Sequence, residues 1–333
     1  MLAAIFGIGG PELTAEERAF FRDTQPLGFI LFARNIQEPD QVRRLVGDLR
    51  ASVAHADAPV LIDQEGGRVQ RLRPPHWRAA APAARFGNLA RRRAQSAAKA
   101  VFLNHQLIGA ELAALGIDVD CAPLLDVHQP GAHDVIGDRS FSDDPEEVAA
   151  LGRAAANGLI SAGITPIIKH IPGHGRSMVD GHHDLPRVAT AHEELARTDF
   201  LPFRRLHDMP WAMTAHIVYE ALDPKLPATL SAKVIGEVIR GEIGFDGLLL
   251  SDDMSMKALN GALDNLTRRA LEAGCDVALH CNGKMEEMRL VAAGAAPLSK
   301  AGEERYTRGR RQVGKARVAK LDQVEAELTA LLA

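Results

Sequence analysis

The sequence predicts an α/β protein built as a single (β/α)8 barrel of the TIM type. Short apolar runs alternate with longer segments of helical periodicity, and each run is apolar on both faces, as in a parallel sheet covered by helices. There are eight runs, the number of strands that closes such a barrel; they span residues 3–8, 28–33, 59–62, 117–125, 164–168, 211–215, 247–250 and 276–280. A doubly wound open sheet is the competing fold, but no Gly-x-Gly-x-x-Gly opens a helix after an early strand and no Walker-type phosphate loop occurs.

The segments between the runs predict helices with recognisable ends. Thr14 and Glu17 form a capping box that begins the first helix, and Gly116 and Gly163 end two others. The further helices are expected over 39–53, 98–115, 145–162, 193–206, 231–243, 265–273 and, as one long charged helix, about 300–332. Because no linker or low-complexity segment divides the chain, we expect one domain over residues 1–333.

Composition and charge exclude several classes of protein. The net charge of −4 is spread over both halves of the 333 residues, which argues against a nucleic-acid partner. Residues 1–10 lack a basic segment and are interrupted by glycines, so they predict neither a signal peptide nor a membrane span. The three cysteines form no paired Cys-x-x-Cys pattern and are expected to be reduced. We therefore expect a cytoplasmic protein that does not bind membranes.

The stretch 169–186 directly follows the predicted strand 164–168 and is the most informative part of the chain. Its glycines and prolines are too dense for a helix or a central strand, so it predicts a loop. Barrel enzymes keep their chemistry in the loops that follow the strands. The ionisable side chains of this loop are Lys169, His170, His174, Arg176, Asp180, His182, His183 and Asp184.

Polar side chains also follow the other predicted strands, and a barrel would bring them to one rim. The strand ends carry Asp63, Glu65, Arg71, Asp126, Arg139, His216, Asp252, Asp253 and His280. Glycoside hydrolysis is one chemistry that this set supports: Asp252 would be a nucleophile at a strand end, and Asp180 would orient His182 as an acid and base. Hydroxyl and acetamido groups would be bound by Asp63, Arg71, Arg139, Lys169 and His170.

Two alternatives from other classes remain open on the residues alone. A metal-dependent hydrolase would use the rim histidines as ligands, although their spacing matches neither His-x-His nor His-Glu-x-x-His. A sugar-binding barrel without catalysis is the second alternative, and it would need neither a strand-end nucleophile nor a proton shuttle.

The motif Lys169-His-Ile-Pro-Gly-His-Gly…Asp180-Gly-His182-x-x-x-Pro186 resembles that of the β-N-acetylglucosaminidases of glycoside hydrolase family 3, the NagZ type. Matching segments occur in order along nearly the whole chain: 63–71, 135–141, 213–216, 227–231, 251–256 and 273–277. Two departures are Ile171, where the family has Phe, and Gly181, where it has Ser; the second is expected to make the loop more flexible.

The resemblance implies one family 3 catalytic barrel domain and a retaining, two-step mechanism without metal or other cofactor. Asp252 would be the nucleophile and His182, paired with Asp180, the acid and base. Asp63, Arg71, Arg139, Lys169 and His170 would bind N-acetylglucosamine. Apart from the resemblance, strand alternation should turn Asp253 away from the pocket if Asp252 points into it, and Glu65 is expected to be structural.

The implied substrate is a small carbohydrate, N-acetylglucosamine linked to 1,6-anhydro-N-acetylmuramic acid with or without peptide, cleaved by a cytoplasmic monomer in cell-wall recycling. Chitin-derived substrates and phosphorolysis stay open.

Overall fold

The computed structural model describes residues 1–129, 131, 134–177, 185–314 and 320–333. Its centre is a closed barrel of eight parallel strands, in which each strand pairs with its neighbours in the chain and the last pairs with the first. The strands are β1 (Leu2–Gly7), β2 (Pro26–Leu31), β3 (Val60–Ile62), β4 (Val119–Asp120), β5 (Thr165–Ile171), β6 (Trp211–Thr214), β7 (Leu248–Asp253) and β8 (Val277–His280). The predicted (β/α)8 barrel is confirmed.

Burial explains why the strands are apolar on both faces. One face of each strand fills the barrel interior, where Ile5, Leu61, Ile167 and Leu250 belong to one buried cluster. The opposite face packs against the surrounding helices, as Phe29 of β2 does in the cluster that these helices cover. Buried on both sides, a strand has no polar face to alternate with its apolar one.

The helices agree with the expected alternation. The regular ones are α1 (Ala15–Thr24), α2 (Pro39–Ala51), α3 (Ala83–Ala113), α4 (Pro145–Ser161), α5 (His192–Arg197), α6 (Leu201–Arg205), α7 (Leu263–Ala273), α8 (Met285–Gly294), α9 (Lys300–Gln312) and α10 (Leu321–Leu332), with a π-helix over Val234–Glu242. The capping box is confirmed: the Thr14 hydroxyl accepts the N–H of Glu17, and the Glu17 carboxylate accepts the N–H of Thr14.

The strand expected over 117–125 is confined to Val119–Asp120, and three helices also differ from the expectations. The helix expected over 193–206 is two helices, because Pro202 lacks an N–H and lies in the first turn of α6. Of the helix expected at about 300–332, the described residues form two helices, one that ends at Gln312, where Val313 is extended, and one that begins at Leu321. The third helix begins at Ala83 and bends at Arg93, whose backbone is not helical.

The amino ends of the strands form a floor that α9 closes. Tyr306 of α9 packs against Trp211 at the start of β6, with ring centroids 5.8 Å apart. Gly309 allows this approach, since a Cβ atom there would lie 2.7 Å from the indole nitrogen of Trp211. The opposite end of the barrel is left to the loops, and the candidate site lies there. In the described part of the chain, no helix combines the length and the hydropathy that a bilayer span requires.

Candidate active site

A cavity of about 200 Å³ opens among the carboxyl ends of the strands. It is lined by the six residues expected to be the nucleophile or to bind the sugar, and also by Asp253; the six are Asp63, Arg71, Arg139, Lys169, His170 and Asp252. They come from loops or strand ends far apart in the chain, so the barrel is what brings them together. The remaining lining is more apolar and includes Phe32, Met213, Met256 and Cys281.

Lys169 is the centre of an alternating chain of charges on the cavity wall. Its Nζ lies 2.8 Å from Oδ1 of Asp63 and 2.6 Å from Oε1 of Glu65. Arg71 donates to the other oxygen of Asp63 at 3.1 Å. Burial disfavours every charged form, but the opposite charges outweigh it: they lower the pKa of Asp63 and raise the pKa of Lys169.

Glu65 continues this chain to Arg139. The guanidinium donates to both oxygens of Glu65, at 2.9 and 2.8 Å, in the two-pronged geometry that orients an arginine most firmly. Burial opposes ionisation, but Arg139 and Lys169 together lower the pKa of Glu65 to about 2. Carboxylates and cations thus alternate along a group named here the rim cluster: Asp63, Glu65, Arg71, Arg139 and Lys169.

Glu65 has a larger part in the site than the sequence suggested, since it holds two of the expected substrate-binding cations. Gln64–Gly66 forms a short strand paired with Val69–Gln70. The signal for its position was available: Asp63 and Glu65 are two residues apart, and such residues project to the same side of an extended chain.

Asp252 ends β7 and lines the cavity. Burial would raise its pKa, but the His216 and His170 imidazoles, the N–H of Asp253 and Lys169 hold the pKa below its ordinary value. The Asp253 N–H donates to one Asp252 oxygen at 2.8 Å. The carboxylate is therefore ionised at neutral pH, as a nucleophile must be.

Asp253 also lines the cavity, although it was expected to point away from it, and its carboxylate is held by hydrogen bonds to neighbouring groups. Its oxygens accept the N–H and hydroxyl of Ser255 and the N–H of Cys281. His216 supports the same turn: its Nε2 lies 3.0 Å from the carbonyl oxygen of Asp253, and its Nδ1 lies 2.7 Å from the hydroxyl of Thr229.

Asp126 is fully buried beneath His170. One of its oxygens accepts the backbone N–H groups of His170 and His174, at 3.2 and 2.6 Å, and the other lies 2.8 Å from Nδ1 of His170. Burial would raise the pKa of Asp126, but His170 and His174 lower it. The loop also passes close to the backbone of strand-end residue Val127, and a Cβ atom on Gly175 would overlap the Val127 carbonyl.

Asp180 and His182, the predicted proton-transfer pair, lie outside the described residues, as do His183 and Asp184. Among the residues that are described, no group of three or more His, Cys, Asp or Glu side chains is arranged to hold a metal ion. His280, one of the rim histidines, is buried beside Glu287 and does not line the cavity.

The closed barrel, with ionised carboxylates and fixed cations around one cavity at the carboxyl ends of its strands, defines a barrel enzyme for a small polar substrate. The sequence model of a protein family, the N-terminal domain of glycosyl hydrolase family 3, matches residues 5–313 of this chain. The chain therefore belongs to this family and is a glycoside hydrolase, which confirms the resemblance seen in the sequence.

Similar proteins carry the family assignment further. The beta-hexosaminidase of Alkalilimnicola ehrlichii is 43% identical over 285 residues, covering 84% of this chain and 80% of that protein. The beta-hexosaminidase of Pseudomonas aeruginosa PAO1 is 40% identical over 290 residues, covering 86% and 84%. The structure resembles NagZ of Neisseria gonorrhoeae, 30% identical over 99% of this chain and 98% of that one, solved with N-trifluoroacetyl-D-glucosamine (TM-score 0.89) and with a zinc ion (TM-score 0.88).

Proposed function

We propose that this glycoside hydrolase is a retaining exo-β-N-acetylglucosaminidase, an enzyme of the β-N-acetylhexosaminidase class, which removes terminal N-acetylglucosamine through a covalent intermediate. The observation that carries the proposal is Asp252, an ionised carboxylate at a rigid strand end inside the cavity that the rim cluster surrounds. The relatives named above support the hexosaminidase class.

In the first step a carboxylate oxygen of Asp252 attacks the anomeric carbon of the sugar. A C–O ester bond forms as the bond to the leaving oxygen breaks, and that oxygen takes a proton from His182. In the second step a water gives its proton to His182 while its oxygen attacks the same carbon, and Asp252 leaves as a carboxylate. Asp180 would hold the imidazole in the orientation that both transfers need.

The rim cluster would bind the sugar while this happens. Asp63 supplies acceptors for hydroxyl groups, and Arg71, Arg139 and Lys169 supply donors whose positions are fixed by the carboxylates between them. A fixed donor loses little freedom when the substrate binds, which favours affinity.

The physiological substrate that we propose is N-acetylglucosamine linked to 1,6-anhydro-N-acetylmuramic acid, with or without peptide, cleaved by a cytoplasmic monomer of one catalytic domain, residues 1–333. Rates on this disaccharide and on chitobiose, compared at equal concentration, test the choice of substrate. Faster cleavage of chitobiose would contradict it. Cell fractionation and sedimentation test the location and the monomeric state.

Turnover of 4-nitrophenyl N-acetyl-β-D-glucosaminide with and without a strong chelator tests the reaction class. We expect release that the chelator does not change, and we expect Asp252→Ala to abolish it while the protein stays folded. Loss of turnover on chelation, restored by added zinc, would favour the metal-dependent hydrolase. Tight binding of N-acetylglucosamine without turnover would favour the non-catalytic barrel.

The role of His182 has its own test. His182→Ala should slow natural disaccharides far more than aryl glycosides, because a good leaving group needs little protonation. Equal losses on both substrates would contradict the assignment. Release of N-acetylglucosaminyl phosphate in phosphate buffer would show phosphorolysis instead of hydrolysis.

A further inference from the structure

We propose that Asp126 is a positioning residue that fixes His170 with its hydrogen on Nδ1, so that Nε2 faces the cavity as an acceptor for a hydroxyl group of the sugar. The choice of a sugar as the ligand rests on the proposed function, whereas the position of the hydrogen does not. The sequence placed Asp126 at a strand end without a role and expected only that His170 binds substrate.

The contacts of Asp126 determine which ring nitrogen of His170 carries hydrogen. An ionised carboxylate only accepts hydrogen bonds. One oxygen of Asp126 accepts two backbone N–H groups, and the other lies 2.8 Å from Nδ1 of His170. Nδ1 must therefore donate. The two backbone N–H groups and Nδ1 of His170 replace the water that burial removes from Asp126.

The opposite edge of the ring remains for the cavity. His170 is one of the lining residues, and its Nδ1 edge is turned towards Asp126. Within the part of the chain that the structure describes, no side chain or backbone group bonds Nε2 of His170. Arg71, Arg139 and Lys169 already provide donors around the same cavity. With the hydrogen on Nδ1, Nε2 supplies an acceptor among them, and a sugar hydroxyl can bond an acceptor as well as a donor.

Asp126 also connects two segments that carry sugar-binding candidates. The hydroxyl of Ser140, next to Arg139, donates to the carbonyl oxygen of Asp126 at 2.7 Å. The side chain of Asp126 holds the segment of His170 and His174. Asp126 is therefore bonded to both segments, and its fixed position determines which nitrogen of His170 carries the hydrogen.

Asp126→Asn reverses the hydrogen on His170 while changing little else. The asparagine oxygen still accepts the two backbone N–H groups, whereas its NH2 group donates to Nδ1. The imidazole must then carry its hydrogen on Nε2 and point a donor into the cavity, a change of tautomer of the kind that disables a catalytic triad. We expect kcat/KM on N-acetylglucosaminides to fall about 10–100-fold, the cost of a mismatched buried hydrogen bond.

The matched control is Asp199→Asn. Asp199 is equally buried and lies against the same loop, with its Cβ atom 2.9 Å from where a Cβ on Gly173 would be. Its partners are Arg176 and Thr198 and not an imidazole. This variant should keep the hydrogen of His170 on Nδ1 and keep kcat/KM within about twofold of the parent. A loss in both variants would show a general packing effect and overturn the proposal.

The direct measurement is ¹⁵N NMR of the histidine rings in the full chain, with the His170 signals identified by their loss in His170→Gln. We expect hydrogen on Nδ1 near pH 7.5 in the parent and on Nε2 in Asp126→Asn. Hydrogen on Nε2 in the parent, or no change in the variant, would overturn the proposal. The NMR measurement needs no turnover. If the proposed activity is wrong, the parent protein will fail to cleave the 4-nitrophenyl glycoside, and this outcome is independent of the NMR result.

Deoxy substrates identify the bond itself. The 3-, 4- and 6-deoxy analogues of the aryl N-acetylglucosaminide each lack one hydroxyl. The parent should discriminate against one of them about 10-fold more strongly than Asp126→Asn does, because the variant no longer accepts that hydroxyl. Unchanged discrimination at all three positions would contradict a bond from the sugar to His170.

Discussion

The two ends of the barrel carry the same chemistry for different purposes. At the carboxyl ends of the strands, the rim cluster alternates carboxylates and cations around the cavity. At the amino ends, Asp118, Asp246 and Asp276 alternate with Arg240, Arg305, Arg308 and Arg310; these seven residues are named here the floor cluster. Key side chains are buried at both ends, with 3% exposure for Lys169 and 4% for Asp276.

What differs is what covers the charges. The floor cluster is bridged by α9, whose Arg305 and Arg310 bond acidic residues that lie just before β8 and β4. The cations of the rim cluster instead line an open cavity. Buried ion pairs add little net stability compared with apolar packing, but they leave directional donors in fixed places. At the floor the arginine donors bind acidic residues and so hold α9 against the barrel. At the rim the donors are available to a ligand.

The largest expected effect separates the two ends by stability. Asp276 accepts Arg240, Arg305 and the N–H of Leu249, all at 2.9 Å. Asp276→Ala leaves these donors without an acceptor. It should lower the free energy of unfolding by about 3–5 kcal/mol, the cost of breaking a buried pair. Denaturant unfolding measures this, with Asp276→Asn as the milder control. A loss under 1 kcal/mol would show that the floor cluster does not hold the barrel.

The next effect tests the rim by activity. Glu65→Gln removes the charge between Arg139 and Lys169, so Arg139 loses its paired carboxylate and Lys169 keeps only Asp63. We expect kcat/KM to fall about 30–100-fold, a change of roughly 2–3 kcal/mol in transition-state binding. Steady-state kinetics on folded protein measures it, with Asp276→Asn as the control from the other end. If Asp276→Asn lost activity and Glu65→Gln did not, the assignment of binding to the rim cluster and of stability to the floor cluster would be wrong.

A smaller effect appears as a pH dependence. Asp120 is buried near the rim cluster, and burial raises its pKa to about 8, although the N–H of Gln64 opposes this. The folded state therefore keeps a proton that the unfolded state loses above about pH 4, so the carboxyl costs stability as pH rises towards 8. Asp120→Asn should gain at least about 1 kcal/mol over the parent between pH 4 and pH 8. A difference that does not change with pH would contradict this.

The smallest effect marks the exposed edge of the floor. Arg308 bonds Asp246 at 2.8 Å, but their side chains are 55% and 67% exposed. Solvent screens such a pair, so Arg308→Gln should change the free energy of unfolding by less than about 1 kcal/mol. Thermal unfolding at low and high salt measures it. If Arg308→Gln lowered the free energy of unfolding as much as Asp276→Ala does, the exposure of an ion pair would not determine its contribution to stability.

Sequence patterns predict the barrel and six cavity residues because both follow from periodicity and from the rule that strand ends share a rim. Asp63 and Asp252 are predictable since each stands at the end of an apolar run. The function of Glu65 is not, because it depends on Arg139, which is 74 residues away in the chain. Asp126 is identifiable as a rim residue, but its partner nitrogen on His170 is visible only in three dimensions.

The helix boundaries show a similar limit. Periodicity continues smoothly through 193–206, and only the position of Pro202 marks the break between α5 and α6. The last helix was expected to be continuous because its charged residues give no stop signal before Gly314. The helix α8 was not expected, since Met285–Gly294 mixes acidic and apolar residues without a strong stripe. Tertiary contacts decide such ends.

The pairing of β1 with β8 has a consequence for how the chain is made. The strand β1 is synthesised before β8, yet one of its edges has no partner until His280 has also been synthesised. The amino-terminal end of the barrel is covered later still, since Trp211 contacts Tyr306 only after α9 is synthesised. Exposed strand edges in unfinished chains invite wrong pairing. The barrel therefore cannot close until β8 has been synthesised, and until then β1 presents an unpaired edge.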